Sequence, residues 1–183
     1  PFEVADCKIV SCKGINKENV KIDDLTIETP QVKVEFIKRR GGNIKEATFK
    51  KVFSQPLIGT IPHGYFEDIS YSADWYTGEM ILFTKDGKKI TDLETAQIKI
   101  PHNLDNFSVR IPIEVLVKAP FGSLLKTYYI YINQPRIDLQ YQFNFKKLKP
   151  SSFRLGYVAF LPDSFVRKEL KKPKTQIFTD DTE

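Results

Sequence analysis

Hydrophobic and polar residues alternate with a period of two along much of the chain. The clearest cases are residues 31–37, residues 108–119 and residues 136–146. Because successive side chains of a β-strand point to opposite faces, each stretch predicts a strand with one buried face. In residues 136–146 one face carries Ile, Leu, Tyr and Phe, and the other carries Asp, Gln and Asn. We expect that polar face to meet solvent or a ligand.

Turn residues divide the other apolar stretches into further strands. Gly41 and Gly42 predict a tight hairpin after residues 31–37, and Asp86 with Gly87 predicts a second one. Pro112 cannot donate a hydrogen bond to a neighbouring strand, so it predicts an edge position or a bulge. Other predicted elements are strands at residues 44–52, 95–101, 124–133 and 152–161, short apolar pulses in residues 1–30, a turn at residues 149–151, a short helix over residues 165–172 capped by Ser164, and a last strand at Ile177 and Phe178.

The number and spacing of these strands determine the expected fold class. About ten short strands with little helix indicate antiparallel sheets rather than a parallel α/β fold. A chain of 183 residues fits one domain and can bury roughly 70% of its unfolded surface. We therefore predict an all-β antiparallel β-sandwich with at most one or two short helices, as a single domain over residues 1–183.

The net charge of +5 arises mainly late in the chain, where lysine and arginine recur between residues 146 and 174. A basic patch can bind nucleic acid or an anionic membrane. However, no RNA-binding signature, zinc knuckle or helix-turn-helix pattern accompanies these residues. We interpret them as a solvated face and a polar tail, and predict neither a nucleic-acid partner nor a membrane partner.

The two cysteines and the lack of a membrane-spanning apolar stretch indicate the cellular compartment of the protein. Cys7 and Cys12 are separated by four residues, too far apart in an extended chain for a disulfide, although a turn could bring them together. Free thiols suit a reducing compartment, and the sequence shows no secretory signal and no membrane-spanning stretch. We predict a cytoplasmic protein. The chain begins at Pro1, so we expect it to be a piece of a longer protein.

Residues 56–78 form a long connection between strands, and candidate ligand-binding side chains are more concentrated there than elsewhere in the sequence. Its candidate ligand-binding residues are His63, Tyr65, Asp68, Asp74, Trp75 and Tyr76. Aromatic rings such as those of Trp75 and Tyr76 can stack on the apolar C–H face of a sugar, although large aromatics also fill cores. Glu67, Asp68 and Asp74 could supply the carboxylate pair of a glycosidase, but acids in loops more often bind backbone amides.

The usual enzyme motifs are absent from the sequence. It contains no nucleophile elbow, no H-E-x-x-H pair and no dinucleotide fingerprint. With only His63 and His102 available, a multi-histidine metal centre is not expected. We therefore predict no catalytic residue, no metal and no cofactor in this chain.

Three stretches together resemble the β-domain that follows the catalytic barrel in glycoside hydrolases of families 57 and 38. They are VKVEFIKRRGGNIKEATF, PLIGTIPHGYFEDISYSADWYTG and PRIDLQYQFNFKKLKPSSFRLGYVAFLPDSF, which cover most of residues 31–165 in the same order. The resemblance implies a supersandwich of the galactose-mutarotase-like type. It also implies a partner, the catalytic barrel of the same polypeptide, which the β-domain buttresses while contributing a loop toward an oligo- or polysaccharide.

Three functional hypotheses follow. The first is a non-catalytic β-sandwich domain of a glycoside hydrolase, with residues 56–78 facing either the barrel or a glycan. The second is a free-standing mutarotase or lyase that uses His63 with Asp68 or Asp74 for proton transfer. The third is a plain protein-interaction module that binds through its aromatic loop or its late lysines.

Overall fold

The computed structural model describes residues 19–61, 75–105, 107, 109–119, 121–146 and 150–165. Almost all regular structure in these residues is β-strand, and the strands pair antiparallel. The elements are β1 (Lys21–Asp23), β2 (Thr26–Glu28), β3 (Val32–Ile37), β4 (Asn43–Phe49), β5 (Ile58–Ile61), β6 (Trp75–Tyr76), β7 (Met80–Thr84), β8 (Lys89–Thr91), β9 (Gln97–Lys99), β10 (Arg110–Ala119), β11 (Gly122–Tyr131), β12 (Ile137–Phe145), β13 (Pro150–Leu155), β14 (Ala159–Phe160) and a 3-10 helix at Pro162–Phe165. The predicted all-β antiparallel sandwich is confirmed.

The described strands form three sheets. The first has the order β1-β2-β3-β4-β5-β14, and β6 also pairs with β5. The second has the order β12-β11-β10-β9, and the third has the order β13-β7-β8. The hairpins predicted at Gly41–Gly42 and at Asp86–Gly87 join β3 to β4 and β7 to β8, with positive φ at all three glycines. Such φ values favour glycine, which explains the residue type at these turns.

The core lies where the inner faces of the sheets meet. On β10 the alternation predicted from the sequence is observed, because Ile111, Ile113, Val115 and Val117 are all completely buried. Phe36 of β3 and Tyr128 of β11 pack edge to face, with ring centroids 4.9 Å apart, so this contact joins the first sheet to the second. Met80 and Leu82 of β7 are also completely buried in the same core.

Pro112 lies in a strand that has neighbours on both sides. Opposite β11 the pairing of β10 is continuous, but β9 pairs only with Glu114, Val115 and Leu116. Pro112 therefore lies beyond the end of the β9 ladder, where its missing N–H costs no ladder hydrogen bond. The prediction of an edge position or a bulge at Pro112 is therefore wrong, because β10 lies between β11 and β9 and its pairing with β11 is continuous.

Two sequence predictions near the end of the described chain are wrong. Residues 149–151 were expected to form a turn, but β13 begins at Pro150. Residues 152–161 were expected to form one strand, but β13 pairs with β7 while β14 pairs with β5, in a different sheet. Gly156 separates the two strands with a φ of +66°, a backbone conformation that interrupts a strand.

Several predictions fall outside the described residues. These are the apolar pulses and both cysteines within residues 1–18, the helix over residues 165–172 beyond Phe165, the strand at Ile177 and Phe178, and the basic residues from Arg167 onward. The apolar pulses in residues 20–27 do form the edge hairpin β1–β2. Among the described residues, no helix has the length and apolar character needed to cross a membrane.

Candidate functional site

The sequence-predicted site residues fall into two groups. His63, Tyr65, Asp68 and Asp74 lie in residues 62–74, outside the described part of the chain. Trp75 and Tyr76 form β6, which pairs with β5. Since neighbouring residues of a strand point to opposite faces, the two rings differ in environment: Trp75 is 38% exposed and Tyr76 only 5%.

Trp75 lies in an aromatic cleft at the surface. The cleft has a volume of about 390 Å³, and the described residues that line it are Ile61, Trp75, Tyr157, Val158, Ala159 and Phe160. The rings of Trp75 and Tyr157 pack edge to face with centroids 5.7 Å apart. Val158 and Phe160 are each 54% exposed, so apolar surface continues beyond the cleft. We call this surface the Trp75 cleft.

Hydrogen bonds from the first sheet hold the walls of the Trp75 cleft in place. The Thr77 hydroxyl donates to the Gly59 carbonyl at 2.6 Å and accepts a hydrogen bond from the Ala159 amide at 3.0 Å. The Gly78 amide donates to the Tyr157 carbonyl at 2.8 Å. Because Thr77 and Gly78 directly follow β6, these bonds link the Trp75 wall to the Tyr157 wall.

A larger cleft of about 810 Å³ lies elsewhere, between the β1–β2 hairpin and β9. Aliphatic side chains such as Ile22, Leu25 and Ile98 line it together with Lys38 and His102. His102 is exposed there. His102 supplies the one aromatic ring among the described residues that line this cleft, and the other lining side chains are aliphatic or charged.

A second unusual feature is a group of polar side chains sealed inside the core. Lys126 and Asp92 are both completely buried, and the Lys126 Nζ lies 2.5 Å from the Asp92 Oδ2. Nζ also donates hydrogen bonds to the Asn43 Oδ1 and, at 3.0 Å, to the Gly78 carbonyl. Glu79 is 3% exposed beside them. We call Asn43, Glu79, Asp92 and Lys126 the Lys126 cluster.

The Lys126 cluster draws its members from all three sheets. Asn43 begins β4, Lys126 lies in the middle of β11, and Glu79 and Asp92 flank β7 and β8. The Asp92 Oδ1 accepts a hydrogen bond from the Met80 amide at 3.1 Å, which fixes the carboxylate against β7. Tyr141 of β12 donates to the Gly78 carbonyl at 3.0 Å. The cluster is therefore the point at which the three sheets are tied together by polar contacts.

Two glycines allow the backbone to approach the cluster closely. A Cβ at Gly41 would lie 2.2 Å from the Asp92 carbonyl oxygen, and one at Gly78 would lie 2.5 Å from the Tyr128 hydroxyl oxygen. Both glycines also have positive φ, which side chains disfavour. A side chain at either glycine would therefore push the backbone away from the cluster.

Burial determines the charges in the cluster. Burial and, as a smaller contribution, the negative charge of Asp92 together raise the pKa of Glu79 to about 7. Burial lowers the pKa of Lys126, against the opposing attraction of Asp92. Three buried polar atoms, the Asn43 Nδ2, the Asp92 Oδ2 and the Tyr128 hydroxyl, have no hydrogen-bond partner among the described residues, although the Asp92 Oδ2 forms the ion pair with Lys126. Such groups are rare in folded proteins and point to a special arrangement.

The Lys126 cluster was not predicted from the sequence, although the sequence contains one signal of it. In residues 124–133, Lys126 shares the phase of Leu124, Tyr128 and Ile130, all of which are buried. A lysine on the inward face of a strand needs a buried partner. Nothing in the sequence identifies that partner, because Asn43 is 83 residues away.

Comparisons of the chain with protein-family models, with curated proteins and with solved structures gave no match. Within the described residues, no group of three or more His, Cys, Asp or Glu side chains could hold a metal ion.

Proposed function

We propose that this chain is a non-catalytic β-sandwich module of a carbohydrate-active enzyme, and that its Trp75 cleft binds a sugar ring of an oligo- or polysaccharide. The observation that carries the proposal is the exposed Trp75 ring, which packs against Tyr157 in a surface cleft. An aromatic face offers a sugar ring a flat apolar surface, and small-ligand sites are typically lined by apolar and aromatic side chains.

The size of the Trp75 cleft supports a small ligand. Its volume of about 390 Å³ falls near the lower end of the roughly 300–1,000 Å³ that ligand pockets span. A sugar also needs polar contacts that fix its orientation. The Tyr157 hydroxyl is available at the cleft wall, where it accepts a hydrogen bond from the Arg154 Nη1 at 3.4 Å.

The acids of the Lys126 cluster are too deeply buried to act on a sugar, which supports the proposal that the chain is non-catalytic. Its two acids, Glu79 and Asp92, have the environment that usually marks an active site, since burial and a neighbouring charge raise the pKa of Glu79. However, Asp92 and Lys126 are completely buried and Glu79 is 3% exposed. A glycan cannot reach these groups without opening the core, so they do not serve a sugar substrate.

A second observation favours a partner domain. Large apolar side chains are exposed near the end of the described chain: Phe153 and Leu155 on β13, Phe160 on β14 and Phe165 in the 3-10 helix are between 38% and 56% exposed. The rings of Phe160 and Phe165 contact each other, with centroids 6.4 Å apart. Apolar patches on the surface of a domain commonly mark a contact with another domain. We propose that the catalytic barrel of the same polypeptide covers Phe160 and Phe165. The open reading frame of the gene tests it: a barrel with paired carboxylates upstream supports the proposal, and its absence counts against it.

Sugar binding can be followed through Trp75 itself, because it is the only tryptophan in the chain. We expect a panel of α- and β-linked oligosaccharides to include one that shifts the tryptophan emission saturably. Tyr157→Ala should weaken that titration at least fivefold while keeping the reporter. Val52→Ala, at a side chain that is 62% exposed and outside the cleft, is the matched control and should titrate like the wild type. If no sugar changes the emission saturably, the Trp75 cleft is not a glycan site.

A further inference from the structure

The Lys126 cluster places an amine against a side-chain amide inside a closed core. The Lys126 Nζ contacts the Asn43 Oδ1, and the amide carbon is one bond beyond that oxygen. The third member, Asp92, has its Oδ2 2.5 Å from the same Nζ. The amide nitrogen of Asn43 has no hydrogen-bond partner. Nucleophile, acyl carbon, proton acceptor and an unanchored leaving nitrogen therefore occur together.

We propose that Lys126 and Asn43 join through an intramolecular isopeptide bond, formed by the protein itself with Asp92 as the proton carrier. The product is an amide between the Lys126 Nζ and the Asn43 Cγ, which covalently connects β11 of the second sheet to β4 of the first. This modification is independent of the proposed sugar binding at the Trp75 cleft.

The reaction balances with the groups present. Asp92 takes a proton from the Lys126 ammonium, and the neutral amine attacks the Asn43 Cγ, so that the new C–N bond forms. The old bond from Cγ to Nδ2 breaks, and proton transfer through Asp92 lets the nitrogen leave as ammonia. The starting ammonium, amide and carboxylate become one secondary amide, one carboxylic acid and one ammonia molecule. No oxidant, metal or other reactant is required.

The environment favours this reaction in three ways. Burial lowers the pKa of Lys126, so the neutral, nucleophilic amine is easier to form than in water. The three groups are held in contact by strands of a rigid core, which replaces a bimolecular encounter with a fixed geometry. The reaction also removes a buried ammonium and a buried carboxylate, which are costly to keep in an apolar interior.

The surroundings are those expected around such a bond. Phe36 and Tyr128 pack together in the same core, and both are at least 98% buried. Water that could hydrolyse an intermediate is thereby kept out. Two other titratable groups lie near the reacting atoms. Glu79 belongs to the cluster and lies next to Gly78 in sequence, and Tyr141 donates to the Gly78 carbonyl. Among the described acidic side chains, Asp92 is the one that contacts the Lys126 Nζ.

Mass spectrometry of the purified full chain tests the proposal directly. We expect the intact mass to be lower than that of the sequence by one ammonia molecule. A tryptic digest should contain a branched peptide in which residues 41–45 are joined to residues 119–136, because trypsin does not cleave after a modified Lys126. An unmodified mass, with residues 41–45 and 119–126 recovered separately, would overturn the proposal. So would a loss of ammonia without the branched peptide.

Two variants test the assigned roles. Lys126→Met should show the mass of its sequence, which calibrates the measurement. Asp92→Asn keeps the shape of the side chain but cannot accept the proton, so it should remain at least tenfold less cross-linked than the wild type when both are folded by circular dichroism. Efficient cross-linking in Asp92→Asn would overturn the role of Asp92. If Asp92→Asn does not fold, the wild-type mass and the branched peptide still decide whether the bond exists.

Discussion

The protonation of Glu79 depends on the fold. Its pKa rises from an ordinary value of 4.5 to about 7 because the carboxyl is buried next to Asp92. Between these two values the folded protein holds a proton that the unfolded chain has released. The free energy of unfolding therefore falls as the pH rises through this window, by at most about 3 kcal/mol.

The variant Glu79→Gln isolates that effect. The amide cannot ionise, so we expect the variant to lack this part of the decline in stability between pH 4.5 and pH 7. Urea denaturation of both proteins at pH 5 and pH 8 measures the difference, with tryptophan emission as the signal. Equal pH dependence in the two proteins would contradict the assignment of the titration to Glu79.

At the scale of single residues, the sequence identified exposed aromatic chemistry better than buried polar chemistry. Trp75 was predicted as a candidate for stacking and lies in a surface cleft. Tyr76, its predicted companion, has its side chain buried on the other face of β6. Lys126 was not predicted as a site residue, because its polar partners Asn43 and Asp92 are distant in sequence and meet it only in the folded structure.

The β3–β4 hairpin shows how a short element positions the Lys126 cluster. Gly41 has a φ of +66°, and a Cβ there would lie 2.2 Å from the Asp92 carbonyl oxygen. Gly87, in the β7–β8 hairpin, has a φ of +80° but no atom within 4 Å of the corresponding Cβ position. The two glycines therefore share the backbone requirement and differ in the space around them.

Substituting alanine for each glycine separates two costs: the backbone strain of a positive φ, which both positions share, and the steric clash of the new Cβ, which only Gly41 has. Gly87→Ala should cost about 1 kcal/mol, from the positive φ alone. Gly41→Ala should cost at least twice as much, because the Asp92 backbone must also move away. Thermal denaturation of the two variants and the wild type compares them. Equal losses would mean that the approach of Gly41 to Asp92 is not tight.

At the scale of elements, hydrophobic alternation with a period of two located the strands well. It did not predict which strands lie next to each other in a sheet. The stretches that became β3, β10 and β12 were identified because their buried faces alternate with polar ones. The stretch from residue 152 to 161 has the same alternation, yet it divides at Gly156 between two sheets. Alternation reports which face of a strand is buried, and it carries no information about the sheet to which the strand belongs.

At the scale of the whole molecule, the pattern of apolar residues predicts the fold class. An all-β antiparallel sandwich was predicted from strand count and spacing and is confirmed. The assignment to a carbohydrate-active enzyme, the supersandwich type and the cytoplasmic location stay predictions. The period of the apolar residues carries no information about any of these three predictions.

The contact between Lys126 and Asn43 joins positions 83 residues apart. If the ends of the chain are pulled, tension would pass through an isopeptide bond at that contact, and the strands between the two residues would bear none of it. The extensible length would be shorter by about 280 Å, at roughly 3.4 Å per residue. Single-molecule force spectroscopy should show this shortening in the wild type and full extension in Lys126→Met. Under load such a domain would extend only through its two outer segments. The outer segment after Lys126 carries Tyr157 and Phe160, which line one wall of the Trp75 cleft. Force would therefore pull this wall away from Trp75, which lies between the two joined residues and bears no tension.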